Sequence, residues 1–417
     1  MNQSLTTIFL FLFSVLFFNT NIAQNFNRPV TPEIFDYEFQ LMDSSLNFYY
    51  ALSPFKISSL PADPGYIQPK ALIIDPKGYS VWYGAVPSSR VMTDFKFDSV
   101  AQHFYCIDRL GGASSPIVID TNFQLINSFS IVESDKIDAH DFNQLNDGNY
   151  ILLGTKDSVI DLSTYTINGG PGSATTTCRC NTLEIVDASN MLLWKWNSCE
   201  HLHPSEGYDF YNYNPSDYDY AHMNSIFEDT DGHFISSMRH MNCVVKINRF
   251  TGNIIWRLGG KLSDFSFPND IGFSAQHHAE RRSSNYLSIH DNGNMSPTPT
   301  KSRALEYDLD TVAWEATLMT SYDPTPIIYG RAMGSHYRWN DSRVIDYGQA
   351  YRPDPSFIVV DNSDQVQSVL YFRDSIMSYR VQPFQPTFTF NRPTVSCLDS
   401  AGTTFLTAES GHASYLW

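Results

Sequence analysis

A chain of 417 residues with 42% hydrophobic and 14% aromatic content carries enough apolar material for a large core, which excludes a disordered or fibrous polypeptide. Its formal charge of −17, with no Lys/Arg cluster to offset it, argues against nucleic acid as a partner. The 24 Tyr and 29 Phe favour strand over helix, and 22 Gly with 22 Pro suit a chain of many turns.

Leu5 to Phe18 is almost uninterrupted apolar sequence, followed by a polar stretch that contains the small residue Ala23. That run is short for a membrane span and fits an export signal, so residues 1–23 are expected to be a signal peptide. The mature chain, 24–417, then has no integral membrane segment and contains no linker that splits it. It reads as one domain, exported, with the bacterial periplasm the best fit and secretion next. Export makes disulfides permissible, and six cysteines follow the signal: Cys106, Cys178, Cys180, Cys199, Cys243 and Cys397. Cys178 and Cys180 are too close for a relaxed bridge between themselves, and the pairing of the rest is left open.

Strand expectations begin at residues 35–39, where Phe-Asp-Tyr-Glu-Phe alternates, and continue at Lys70–Ile74, Val81–Gly84, Gln102–Cys106, Pro116–Ile119 and Phe123–Ser128. Ser163–Thr177 is a polar Gly/Pro/Ser/Thr loop. Leu183–Val186 and Leu192–Trp196 resume the sheet. Tyr208–Tyr220 packs five tyrosines and three aspartates into thirteen residues and is read as an ordered lid running into His222. Phe234–Arg239, Val244–Asn248 and Ile254–Leu258 are successive antiparallel strands, punctuated at Asp229–Gly232 and Thr251–Asn253. The last third repeats the pattern at Ala304–Tyr307, Ala313–Thr317, Arg343–Tyr347, Ser356–Asp361, Val366–Phe372 and Tyr379–Gln382. Thr403–Leu406 and Ser414–Trp417 are expected to close a ring against N-terminal strands, since an open sheet of this length would expose its edges.

Two elements recur. One is a histidine region, a polar turn and a hydrophobic strand, within Ala221–Gly260 and again at His140–Gly154, Gln276–Gly293 and Gly334–Gly348. The other ends near Trp82, Trp194, Trp256 and Trp314, with weaker copies near Ser128 and Leu370. Together they make about six units of roughly 50–65 residues, which predicts an all-β fold, a six-bladed β-propeller with long inter-strand loops.

In such a ring the equivalent ends of the innermost strands converge on one central channel, which would bring His140, His222, His277 and Arg239 together. Imidazoles near neutrality act as nucleophiles or proton carriers, and a planar guanidinium suits an anionic sulfuryl or phosphoryl group. His201-Leu-His203, with two imidazoles on one face of a strand, keeps a metal-dependent hydrolase or lyase open as an alternative. A non-catalytic binding propeller is another. No metal and no cofactor are assigned, since no HExxH or close H-x-H-x-D set and no nucleotide-binding loop is present.

Seven segments carry a resemblance: HDFNQLNDGN at 140–149, WNSCEH at 196–201, HMNSI at 222–226, DGHFISSMR at 231–239, VVKINRFTGNIIWRLGGKLSDF at 244–265, FSAQHHA at 273–279 and IHDNG at 289–293. In order and content they resemble the arylsulfate sulfotransferases, exported enzymes that move a sulfuryl group from an aryl sulfate to a phenol without a nucleotide donor. The resemblance implies a six-bladed propeller and small-molecule aryl sulfate and phenol as partners. It further implies His277 as nucleophile, Arg239 as the grip on the sulfuryl oxygens, and His140 and His222 as supporting histidines. His201, Asn224 and His278 are carried over as residues contacting substrate or supporting the site. Two positions depart from the family pattern: His278 stands where Asp is usual, and Met238 where Ser is common.

Overall fold

The computed structural model describes residues 24–27, 37–56, 71–84, 92–110, 113–167, 170–208, 213–281, 285–295, 299–373, 376–390, 395–400 and 403–408. The expected signal peptide, 1–23, and Ser414–Trp417 lie outside them. The chain forms a six-bladed β-propeller whose blades are antiparallel sheets. Blade 1 is built from Met92–Asp98, His103–Leu110, Ala113–Ile119 and Leu125–Ser128, and blade 2 from Lys136–Gln144, Tyr150–Ile160, Thr176–Val186 and Leu192–Asn197. Blade 3 comprises Met223–Glu228, Phe234–Met238, Cys243–Ile247 and Ile254–Gly259; blade 4 comprises His277–Arg281, Tyr286–Asp291, Arg303–Asp310 and Glu315–Tyr322. Blade 5 (Ser335–Trp339, Ser342–Asp346, Phe357–Asp361, Val366–Phe372) is widened by Tyr37–Leu41 and Gln24–Asn27.

Blade 6 corrects an expectation. Its innermost strand is Ile376–Phe384, and its outer three are Tyr49–Lys56, Ala71–Ile74 and Ser80–Gly84, so both halves of the chain build it. Thr403–Ala408 does not close the ring; it pairs with Val395–Ser400 in a separate hairpin. The tryptophan recurrence marks the outermost strands: Trp82, Trp194 and Trp256 lie within them, and Trp314 immediately precedes one. The weaker copies near Ser128 and Leu370 fall on the fourth strands of blades 1 and 5.

Local chemistry explains the regularity. Hairpins within the blades close on tight turns in which an amide bonds three residues back, as from Gly78 to Asp75 (2.9 Å) and Gly232 to Asp229 (2.8 Å). Both glycines take positive φ, +82° and +77°, where a Cβ is strained, and one on Gly78 would also strike Phe39. Between blades, apolar faces of neighbouring sheets pack together. Leu183, Ile185 and Trp196 of blade 2 meet Met223, Phe234 and Val245 of blade 3 in one buried cluster. Tyr218 and Tyr220 belong to that same cluster, which overturns the lid reading for this part of the loop: their rings are core, not a cover.

Cys180 and Cys199 form a disulfide that ties the third strand of blade 2 to the short helix Ser198–His201, while Cys106, Cys178 and Cys243 are buried thiols. Among the described residues no helix is long and apolar enough to cross a membrane.

The innermost strands are polar and irregular. Register shifts interrupt those of blades 1, 2, 3, 4 and 6, between Thr93 and Lys96, Ile137 and Phe142, Met223 and Ser225, His277 and Ala279, and Ser378 and Val381. Such bulges re-aim side chains along a strand. Midway down the channel four buried charges meet. Lys96 Nζ donates to Asp94 Oδ2 (2.5 Å) and Asp141 Oδ1 (2.6 Å), and Arg380 Nη1 to Asp94 Oδ1 (2.7 Å). Blades 6, 1 and 2, neighbours in the ring, are thereby bolted together at their inner strands. A chamber of about 370 Å³ lies on one side, and a cavity of about 600 Å³ opens on the other.

Candidate active site

The larger cavity sits at the N-terminal ends of the innermost strands. Asp138, His140, Arg179, Asp219, His222, Met333 and Tyr379 are among its walls. The His140 and His222 rings meet edge to face at 4.8 Å, and His222 stacks on His240 at 4.3 Å. Each wall histidine has its own carboxylate. His140 Nδ1 donates to Asp138 Oδ1, and His222 Nδ1 donates to Asp219 Oδ2 at 2.5 Å. For His140 burial opposes the imidazolium, but the Asp138 charge and hydrogen bond, with help from Asp219, raise its pKa above the ordinary value. His240 has the reverse balance: burial and the neighbouring His222 push it down to about 3. Asp219 binds both rings, since its backbone oxygen accepts from His240 Nδ1 at 2.5 Å. Burial works against its carboxylate, yet His222, His240 and Arg179 hold its pKa below the usual range.

His277 lies behind this wall, only 2% exposed. Its Nδ1 is 2.7 Å from Asn292 Oδ1, and its Nε2 accepts from the Met333 amide at 3.2 Å. Burial, then the positive charge of Arg239, keep its pKa well below the ordinary imidazole value, so the ring is neutral. Arg239 opens the short 3₁₀ turn Arg239–Met241 between the second and third strands of blade 3. Its amide bonds to the backbone oxygen of His222 at 3.1 Å, and its Nη2 reaches the Arg331 carbonyl at 3.4 Å. Neighbouring bulges and hairpin ends therefore place Arg239, His222 and His277 within reach of one another's charge, together with His140.

The other sequence-selected residues take different places. Asn224 is fully buried, donating from Nδ2 to the Gln276 carbonyl (2.8 Å) and accepting Arg380 Nη2 on its own carbonyl (2.6 Å). It braces the peptide just ahead of His277. His278, at φ +50°, turns the other way, lines the opposite chamber and packs on Tyr337 at 4.2 Å. The departure from Asp at this position thus faces away from the wall histidines. Met238 is fully buried core; its backbone oxygen takes Gln276 Nε2 at 3.1 Å. His201 stacks on Trp196 in the outermost strand of blade 2 and lies against Gly252, ahead of the outermost strand of blade 3. That position is on the outer side of the blades, not on the channel. The expected strand with two imidazoles on one face is absent as well: His201 ends a helix, and His203 caps the next turn through Ser205.

Four contributors escaped the sequence reading. Asp138 and Asp219, two and three residues ahead of their histidines, carried a usable spacing signal. Asn292 lay within a motif that reads as a turn, and the Met333 amide has no side-chain signature at all.

A family model described as arylsulfotransferase (ASST) matches residues 114–352, more than half of the chain. No curated protein matches it. Among solved structures, a Bacteroides caccae protein of unknown function is 9% identical, with 82% of this chain and 100% of that chain covered and a TM-score of 0.50. A catalytically inactive virginiamycin B lyase from Staphylococcus aureus is also 9% identical, over 90% of this chain and 97% of that one, at a TM-score of 0.40. The β-propeller domain of Cps50 from Myceliophteria thermophila is 6% identical over 74% and 82%, at 0.41. These likenesses concern the fold alone. With the channel histidines and Arg239 inside the matched segment, the chain belongs to the arylsulfotransferase family.

Proposed function

We propose that the protein transfers a sulfuryl group from an aryl sulfate ester to a phenolic acceptor, through a sulfohistidine at His277 and without a nucleotide donor. The observation that carries this reading is the Asn292–His277–Met333 arrangement. The Asn292 amide nitrogen donates to the Gly330 and Met333 carbonyls (2.7 and 2.9 Å), so its Oδ1 is the acceptor facing the ring. The hydrogen of His277 therefore sits on Nδ1, and the Nε2 lone pair points toward Met333, a residue of the cavity wall.

In the first half-reaction the Met333 amide gives up Nε2 as sulfur approaches. The lone pair forms an N–S bond while the S–O bond to the aryl group breaks, its electrons going to the phenolate oxygen. His140, whose pKa the neighbouring Asp138 raises, supplies the proton, and Arg239 balances charge on the sulfuryl oxygens. The second half reverses these moves: His140 takes the acceptor's proton, the new phenolate attacks sulfur, and the N–S bond breaks back to a neutral His277. His222, aligned by Asp219, forms the adjoining wall. The neutral state of His277 and the raised pKa of His140 divide the roles of nucleophile and acid.

The reading includes export, with residues 1–23 as a leader and the rest as one domain in an oxidising compartment such as the periplasm. The Cys180–Cys199 bridge supports that setting. The test is intact mass after brief exposure to an aryl sulfate without acceptor. One added sulfuryl group mapping to His277 and discharged by phenol is expected; no adduct and no released phenol across several donors would sink the reading.

A further inference from the structure

Asp219, His222 and His240 form a constellation that proton transfer alone does not explain. Each offers a ligand atom, and the three atoms lie within 4.8 Å of one another. They come from two elements that the fold holds together: the strand-entry segment Asp219–His222 and the 3₁₀ turn Arg239–Met241, whose His240 amide bonds to the Ala221 carbonyl at 3.0 Å. Both rings present Nδ1 to the same residue. His222 Nδ1 is 2.5 Å from Asp219 Oδ2, and His240 Nδ1 is 4.0 Å from that same oxygen. Asp219 has a second, independent peculiarity. It is 4% exposed, and its Oδ1 is buried with no hydrogen-bond partner among the described residues. A buried carboxylate oxygen left unmatched beside two imidazoles is an environment that a cation completes. The nearest fixed cation is already engaged: Arg179 holds Asp217 with both carboxylate oxygens at 2.7 and 2.6 Å and stands 3.7 Å from Asp219 Oδ2.

From this placement we infer that Asp219, His222 and His240 form a binding site for a divalent first-row transition metal ion of the zinc class. Two imidazoles and one carboxylate are a borderline-soft, three-ligand set, suited to zinc or cobalt rather than to calcium or magnesium, which prefer all-oxygen shells. An ion displaces the Nδ1 hydrogens and widens the 2.5 Å contact between His222 and Asp219, leaving each ring with its hydrogen on Nε2 and its Nδ1 lone pair toward the metal. Asp219 and His222 line the 600 Å³ cavity, so the fourth coordination position falls to water on the cavity side. The site does not depend on sulfuryl transfer, since neither His277 nor Asn292 belongs to it.

The experiment uses the full mature chain without a polyhistidine tag and titrates it with Co²⁺, whose four-coordinate complexes absorb strongly in the visible. Expected are one Co²⁺ per chain with a four-coordinate spectrum, displacement by Zn²⁺, and a loss of affinity of at least about 100-fold in both Asp219→Asn and His240→Gln. His277→Ala should retain the spectrum while abolishing any sulfuryl transfer, which separates this site from the transfer reading. A wild-type chain that binds no Co²⁺, or a spectrum that survives both substitutions, overturns the assignment. Circular dichroism of each variant distinguishes a lost ligand from a lost fold, and the wild-type titration decides the matter if a variant does not fold.

Discussion

Asn292 fixes the tautomer of His277. With its amide nitrogen committed to two carbonyls, its oxygen lies 2.7 Å from Nδ1, and a neutral imidazole in that position has its lone pair on Nε2. On the role proposed for His277, Asn292→Ala should lower kcat by about 100-fold while changing KM little, because an imidazole free to rotate or to swap tautomers loses its aim rather than its binding pocket. Steady-state kinetics with a chromogenic aryl sulfate read this directly; an unchanged kcat removes Asn292 from the mechanism.

Arg239 sets a second expectation. Arg239→Lys keeps the charge but loses the planar fork that matches sulfuryl oxygens, so kcat/KM should fall by roughly 100- to 1,000-fold. Inhibition by the free phenol product, which carries no sulfuryl group, should stay within about twofold. Equal losses in both measurements would mean that the substitution damages the cavity as a whole.

The Asp138–His140 pair predicts a shift in pH dependence. The carboxylate raises the His140 pKa against the opposing effect of burial, so the protonated acid persists to higher pH than in a free histidine. Removing that charge with Asp138→Asn lowers the pKa, and the alkaline limb of the kcat profile should move toward acid. A limb that stays in place assigns it to another group.

His290 tests stability instead of turnover. It is fully buried, neither ring nitrogen has a hydrogen-bond partner among the described residues, and burial with His336 nearby lowers its pKa to about 3. As pH falls below the unfolded value of about 6.5, the unfolded chain takes up a proton that the folded chain refuses, so stability is lost. Between pH 7 and 4.5 this amounts to about 2–3 kcal/mol. Comparison of urea unfolding in wild type and His290→Leu isolates it from buried Asp94 and Asp291, whose pKa values, raised to about 6, act in the opposite sense. Parallel pH profiles would remove the assignment.

The Cys180–Cys199 bridge spans 19 positions in sequence. Replacing both cysteines with serine should cost about 3 kcal/mol of stability, from the loop entropy regained by the unfolded chain. Chemical denaturation of the double variant measures it.

The outer strands were legible because they obey the usual rule of apolar residues bounded by turns, with tryptophans repeating along them. The innermost strands do not. Lys136–Gln144 and His277–Arg281 face a polar channel and are broken by bulges, so hydrophobic alternation is absent where the chemistry is densest. Asp219 was hidden between Tyr218 and Tyr220, whose hydrophobic bodies face the core while the aspartate faces the cavity. His201 shows the converse: a residue inside a recognisable motif, Trp196 to His201, whose ring packs on the outer side of the blades. Motif membership reported the fold there, and only the three-dimensional arrangement separated channel residues from packing residues.

Blade 6 has a consequence for how the molecule comes into being. Tyr50 and Leu52 lie opposite Pro383 and Val381, more than three hundred residues away, and until that late strand arrives their sheet has a bare inner edge. Blades 1 to 4 can assemble from neighbouring segments as they emerge, but the circle stays open, and the contact that closes it between Asp94 of blade 1 and Arg380 of blade 6 cannot form. A chain interrupted before residue 376 should keep most of its strands and histidines yet possess no enclosed channel. The enclosed channel is therefore a property of the last stage of folding, and the proposed chemistry has no site until Ile376–Phe384 has paired with Tyr49–Lys56.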